Sequence, residues 1–202
     1  MLTCSIAEEI KFRRNTLVKS IYIILTQSGT IISKTIKLFT HDRYNHASIC
    51  LDDSFQSFYS FGRLQINNVF SGGFVKENAF THVLGKFKNV PCLILKKEVS
   101  EKQYEKIQDT IQIFTTDPQK FKYDYFNLFF AKTPITFSHK NRFFCSEFVA
   151  YVLSEAGITP PNRLEKIRPF EFTSLENVEV LYQGELKKWC ETQGRPSKVS
   201  NR

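Results

Sequence analysis

The chain has 202 residues, of which 42% are hydrophobic, enough for one compact domain with its own core. Its 28 Lys and Arg against 20 Asp and Glu give a charge of +8, but the lysines are scattered and no nucleic-acid-binding motif accompanies them, so nucleic acid is not an expected partner. Five cysteines, an odd number without paired spacing, argue against a disulfide framework and for a reducing, cytoplasmic setting, and the absence of Cys-x-x-Cys or His-x-x-x-His patterns leaves no metal or cofactor to expect. Residues 1–17 carry Glu8, Glu9, Lys11, Arg13 and Arg14 without a long apolar core, which reads as an extension and not as a signal peptide. Ser20 to Gln27 is rich in Ile and suits a buried strand, and Thr30 to Phe39 repeats apolar residues at helical spacing. Next comes Tyr44-Asn45-His46-Ala47-Ser48-Ile49-Cys50-Leu51, an alternating run with Ala47, Ile49 and Leu51 on one face and His46, Ser48 and Cys50 on the other. Asp52-Asp53-Ser54 supplies a turn, and Phe55 to Phe61 is expected to return antiparallel to that strand.

Asn67 to Gly73 reads as a loop, and Val90 to Lys96 as a further strand begun at Pro91. Ser100-Glu101-Lys102-Gln103 has the form of a capping box, from which Tyr104, Ile107, Ile111 and Phe114 carry a helix to Thr115. The aromatic segment Phe121 to Phe130 is expected to be a helix packed in the core, with Tyr123 and Asp124 facing a cleft. The last strong signal is Phe144-Cys145-Ser146-Glu147-Phe148-Val149, where Phe148, Val149, Val152, Leu153 and Ala156 form an apolar stripe that starts from Cys145. A thiol at a helix start lies beside unpaired backbone N–H groups and the positive end of the helix dipole, and both favour thiolate. The polar residues 194–202 read as a tail. No run reaches the ~20 apolar residues of a spanning helix, although the basic balance leaves peripheral membrane contact open.

These residues resemble the circularly permuted, YiiX-like branch of the NlpC-type papain-like superfamily. The resemblance rests on Asn45-His46-Ala47-Ser48-Ile49 first, Tyr123-Asp124-Tyr125 later and Phe144-Cys145-Ser146-Glu147-Phe148-Val149 last. It implies an α+β, papain-like fold over residues 18–193 in permuted order, with an antiparallel sheet packed against the helix that bears the nucleophile. It further implies Cys145 as nucleophile and His46 as base, with a third group on the strand after the histidine to orient the imidazole. Pairing across the Asp52-Asp53-Ser54 turn brings Tyr59 to Gly62 opposite His46, so Ser60 is the candidate, with Gln56 and Gln65 behind it. Ser60 accepts a hydrogen bond from a ring N–H but cannot balance an imidazolium charge. His139 competes with His46 for the role of base, from a loop that aims it less firmly. Tyr123 and the Cys145 backbone N–H are the expected oxyanion contacts.

The function implied is a thiol hydrolase of amide or ester bonds, acting on a peptide-like, cell-wall-like or acyl-lipid substrate. The alternatives are a binding module that keeps the fold without turnover, and an acyltransferase on lipid-like substrates, as in lecithin:retinol acyltransferase.

Overall fold

The computed structural model describes residues 18–27, 43–65, 68, 71–129, 133 and 139–193. The expected extension 1–17, the helix over 30–39 and the tail 194–202 lie outside the described residues.

The chain is α+β, built on an eight-stranded sheet. The strands are β1 (Val18–Thr26), β2 (His46–Cys50), β3 (Phe58–Arg63), β4 (Gly72–Glu77), β5 (Pro91–Ser100), β6 (Lys122–Tyr123), β7 (Arg142–Phe143) and β8 (Val178–Glu185). Between them lie α1 (His82–Gly85), α2 (Glu101–Thr116), α3 (Tyr125–Phe129), α4 (Cys145–Glu155) and α5 (Leu186–Gln193). The spatial order is β7-β6-β4-β3-β2-β1-β5-β8. Every neighbouring pair is antiparallel except β6 and β7, which run parallel, so the sheet is mixed and not the wholly antiparallel one expected.

The alternation along β1 and β2 divides the apolar residues between two cores. On one face Ile21, Ile23, Leu25, Ala47, Ile49, Phe61 and Phe74 pack under α2 and α4. On the other Tyr22, Ile24, Cys50, Phe58, Cys92 and Ile94 are covered by Leu84 of α1 and by Leu186 and Cys190 of α5. Helix α4 joins the first core through Phe148, Val149, Val152 and Leu153, all inaccessible to solvent. The Phe148 ring meets those of Phe61, Phe74 and Phe114 at 5.4, 5.6 and 5.1 Å, and burial of one such side chain contributes about 2 kcal/mol. The helix ends where Gly157 takes φ of +74°, with its N–H bonded to the Ser154 carbonyl and the Ile158 N–H to Leu153, a left-handed close that a side chain would strain.

The capping box forms as its sequence pattern specifies. Ser100 Oγ accepts from the Gln103 N–H at 3.3 Å and Gln103 Oε1 from the Ser100 N–H at 3.0 Å. Three sequence expectations need correction. The return strand spans Phe58–Arg63, because Phe55 adopts a left-handed φ of 52° and extends the turn. The stretch read as a loop to Gly73 already contains the start of β4 at Gly72. The aromatic segment is not one helix: Phe121 is buried, Lys122 and Tyr123 pair as β6, and only five residues, Tyr125–Phe129, turn as α3 with Phe126 59% exposed. Strand β8 carries no buried alternation that selects it beforehand, since it is an edge strand with every residue partly or fully exposed.

Candidate functional site

Cys145 is the first residue of α4 and His46 the first of β2, and the fold puts these two ends together. The Cys145 thiol and the His46 imidazole are close enough that each acts on the titration of the other. The Cys145 sulfur also lies within hydrogen-bonding reach of the backbone N–H groups of Ala47 and Ser146. Phe144, at the N-cap position, has an extended backbone and brings no capping side chain of its own, so the first turn is held by Glu147, whose Oε2 accepts from the Phe144 N–H at 3.2 Å. Ser146 ties the same turn to the loop beyond the helix by donating to the Ile167 carbonyl at 2.7 Å.

The imidazole is oriented by a carboxylate. His46 Nε2 lies 3.0 and 2.9 Å from the two oxygens of Glu77, at the end of β4, and Ser48 Oγ donates to Glu77 Oε2 at 2.7 Å. With Nε2 so engaged, Nδ1 is the nitrogen left to face the sulfur. Gly62 lies beneath this pair, where a Cβ would be in ordinary contact with Glu77 Oε1 at 3.5 Å and His46 Cε1 at 3.7 Å. The side chains of His46 and Glu77 are each 13% exposed, against 2% for Cys145, so solvent reaches the group from the imidazole side.

Burial is the largest influence on both members of the pair, and it opposes charge on each. It pushes the Cys145 thiol up and the His46 imidazole down. The remaining influences reverse both directions. For Cys145 the His46 hydrogen bond and charge, with the Ala47 and Ser146 N–H groups, bring the thiol below its ordinary value. For His46 the Glu77 charge and the bonds to Cys145 and Glu77 hold the imidazole well above its ordinary value. The arrangement therefore favours thiolate beside imidazolium, the form in which a sulfur is nucleophilic and an imidazole can release a proton.

Tyr123 is placed by the two-residue parallel pairing in which Lys122 faces Arg142 and Tyr123 faces Phe143, the strand that runs straight into α4. Its hydroxyl lies beside Cys145, and burial followed by the neighbouring Cys145 charge holds the phenol well above its ordinary value. It stays protonated and is a donor beside the sulfur.

Ser60 does not meet the imidazole. Its hydroxyl is fully buried and donates to the Ala47 carbonyl at 2.6 Å, which makes it a brace for β2. The orienting position falls to Glu77, on the strand beyond the one the hairpin pairs with His46. Gln56, on the turn between β2 and β3, bonds back to Ser54, and Gln65 follows β3; no described contact joins either of them to the ring. His139 pairs with Asp124, Nδ1 to Oδ2 at 3.1 Å, and Asp124 is buried and accepts from the backbone and side-chain nitrogens of Asn127 at 3.0 Å. Asp124 thus supports α3 rather than facing a cleft. Glu77, Ser48 and the Ala47 N–H were not singled out by sequence reasoning. One signal for Glu77 was present, since it is the sole carboxylate between Asp53 and Glu98.

No cluster of His, Cys, Asp and Glu suited to a metal occurs among the described residues, and no described helix is long and apolar enough to cross a membrane. Comparison of the chain with family models, with curated proteins and with solved structures finds no match.

Proposed function

We propose that the chain is a thiol hydrolase of amide or ester bonds, on a permuted papain-like fold, with Cys145 as nucleophile, His46 as acid and base, and Glu77 orienting the imidazole. The observation that carries this reading is the placement of Cys145 beside His46, whose ring is hydrogen-bonded to Glu77, with Ser48 fixing the carboxylate. The Cys145 thiolate attacks the carbonyl carbon, forming a C–S bond as the charge moves to oxygen. In this reading the Tyr123 hydroxyl, beside the sulfur, and the Cys145 backbone N–H donate to that oxygen. Collapse breaks the C–N or C–O bond while the imidazolium passes its proton to the departing amine or alcohol. Water then adds to the thioester, giving its proton to His46, and the acid leaves as the thiol is restored. Another nucleophile in place of water gives acyl transfer by the same steps. Glu77, fixed by two hydrogen bonds, stabilises the imidazolium that each half-reaction passes through, as Ser60 could not.

The test is acylation by p-nitrophenyl acetate followed by intact mass spectrometry. One acetyl group should appear, mapped to Cys145, and His46→Ala should slow its formation about 10²–10⁴-fold. No adduct, or an adduct formed as fast in His46→Ala as in the wild type, overturns the hydrolase reading in favour of a binding module.

A further inference from the structure

We infer that Gly72 and Tyr125 are positioning residues for the oxyanion donor: they form a slot that holds the Tyr123 ring beside Cys145, one wall a bare backbone and the other an aromatic ring. This rests on Cys145 attacking a carbonyl with Tyr123 as donor to its oxygen. Gly72 opens β4 and pairs with Arg63 of β3, and the next residue, Gly73, pairs with Lys122 of β6, so the Gly72 backbone runs alongside Tyr123. A Cβ on Gly72 would fall 2.7 Å from Tyr123 Cβ, 3.0 Å from Tyr123 Cγ and 2.5 Å from Tyr125 Oη. Carbons in ordinary contact stand about 3.5–4.0 Å apart, so any side chain at position 72 forces a displacement of roughly 1 Å. No change of rotamer absorbs it, because the Tyr123 Cβ moves only with its own backbone.

That backbone is tied on its other side to the strand that carries the nucleophile. Tyr123 pairs with Phe143, the Lys122 N–H bonds to the Asn141 carbonyl and the Asp124 N–H to the Phe143 carbonyl, both at 2.9 Å, and β7 leads directly into Cys145. Pushing Tyr123 off Gly72 therefore either moves its ring relative to the sulfur or breaks the pairing that places it there. The second wall is Tyr125, whose ring centroid lies 4.7 Å from that of Tyr123 with the planes 43° apart. Asp124, between the two tyrosines, is buried and accepts from the backbone and side-chain nitrogens of Asn127, which fixes the turn that presents Tyr125. Gly73 supplies the contrast within the same strand, since alternation turns it to the opposite face. A Cβ there would meet the Phe121 carbonyl at 3.2 Å and Leu64 Cδ1 at 3.3 Å, with neither tyrosine among its nearest neighbours.

The experiment follows two reactions of Cys145 in the full chain by site-resolved mass spectrometry, acylation by p-nitrophenyl acetate and alkylation by iodoacetamide. Acylation forms a C–S bond at the carbonyl carbon, builds negative charge on the carbonyl oxygen and expels p-nitrophenolate. Alkylation forms a C–S bond at the methylene carbon, expels iodide and builds no oxyanion. Both consume the same thiolate, so the ratio of acylation to alkylation reads the oxyanion donors and not the thiolate population. Tyr123→Phe should lower that ratio about 10²-fold, the effect of losing one oxyanion donor. Gly72→Ala should lower it roughly tenfold or more, since a misplacement of ~1 Å costs up to about 10²-fold, and should lower it no further in the Tyr123→Phe chain. Tyr125→Leu should lower it as well, whereas Tyr125→Phe, which keeps the ring, and Gly73→Ala should retain it. A ratio that falls in Tyr123→Phe but not in Gly72→Ala overturns the slot, and so does a further loss when the two are combined. If Gly72→Ala does not fold, a ratio unchanged in Tyr125→Leu overturns it instead. A ratio unchanged in Tyr123→Phe overturns the donor assignment beneath the inference, and a wild type that is alkylated at Cys145 yet forms no acetyl adduct overturns the hydrolase reading itself.

Discussion

The two faces of one sheet shift their thiols in opposite directions, and burial alone does not account for the difference. Cys145 on the α4 side is 2% exposed, while Cys50, Cys92 and Cys190 on the α5 side are 0, 1 and 1% exposed. For all four, burial is the largest influence and raises the thiol. On the α5 side nothing reverses it, and each of the three thiols is pushed up to about 12. Backbone hydrogen bonds draw each of them back, but nearby carboxylates or thiols add to the effect of burial, and none of the three has an imidazole beside it. Cys145 has an imidazole whose own charge is held by Glu77, and two backbone N–H groups. What separates the lowered thiol from the raised ones here is the imidazole the fold delivers, and that depends on where three chain segments meet.

The largest expected effect is the direct measurement of that contrast. Near pH 7 a thiol with a pKa of about 12 is thiolate in only ~1 molecule in 10⁵. Iodoacetamide should therefore modify Cys145 about 10³-fold faster than Cys50, Cys92 or Cys190, or faster still. Site-resolved mass spectrometry at pH 7 checks it, and comparable rates at all four positions would erase the distinction between the faces.

The second test moves Cys145 toward the behaviour of its counterparts. Glu77→Gln keeps the shape and removes the charge that holds the imidazolium. Alkylation of Cys145 at pH 7 should slow roughly 10- to 100-fold and its pH profile should shift upward, the loss of an orienting carboxylate in a coupled site. Ser60→Ala should leave the rate nearly unchanged and cost about 1 kcal/mol in urea denaturation, since its hydroxyl serves the Ala47 carbonyl. The opposite outcome, with Ser60→Ala the slower variant, would return the orienting role to Ser60.

That pair of variants also marks how far the sequence is legible. The positions of Cys145 and His46 follow from local patterns, a stripe with helical period and a strand with alternation, and each pattern needs only its own segment. Their meeting does not follow locally; it depends on how helix α4 packs on β2. Glu77 is hidden for two reasons. Gly72-Gly73 has the composition of a turn, although here the glycines open a strand, and Gly72 is required because Tyr123 and Tyr125 lie against it. The contact also spans two strands, so the pairing of β2 with β3 is not enough to find it. The pairing of β6 with β7 involves two residues on each side, too few to carry any period, yet it sets Tyr123 beside the sulfur.

A third prediction concerns stability on the α5 side. Each of its three thiols has a native pKa raised to about 12 from an ordinary value of 9.0, so between those values the folded chain holds protons that the unfolded chain has lost. The stabilisation is complete below pH 9 and lost as pH rises toward 12, at ~1.4 kcal/mol for each pKa unit of each thiol. The urea midpoint of the wild type should fall steeply from pH 9 to 11, and that of Cys190→Ala less steeply. Equal slopes would mean that Cys190 is not held as a buried neutral thiol.

The smallest expected effect brings the rule of the α5 side into the Cys145 site itself. Glu147 sits in the first turn of α4, where burial, followed by the Asp124, Glu165 and Cys145 charges, raises its carboxyl to about 8 against the pull of the Phe144 N–H. Below that pH it is a neutral acid next to a thiolate, which adds no negative charge where Cys145 must carry one. Above it the carboxylate repels the thiolate, and because the native pKa exceeds the usual 4.5, the stability present below 4.5 is lost as pH rises through 8. Glu147→Gln retains an oxygen for the Phe144 N–H and cannot ionise. Its Cys145 alkylation profile should match the wild type at pH 6 and rise above it by about twofold at pH 9, a difference of a few tenths of a kcal/mol. Its urea midpoint, again equal or lower at pH 6, should exceed that of the wild type at pH 9. Profiles that stay parallel through pH 8 would show that Glu147 is already ionised in the folded chain, and that burial beside a reactive thiol fails to do there what it does to the three thiols across the sheet.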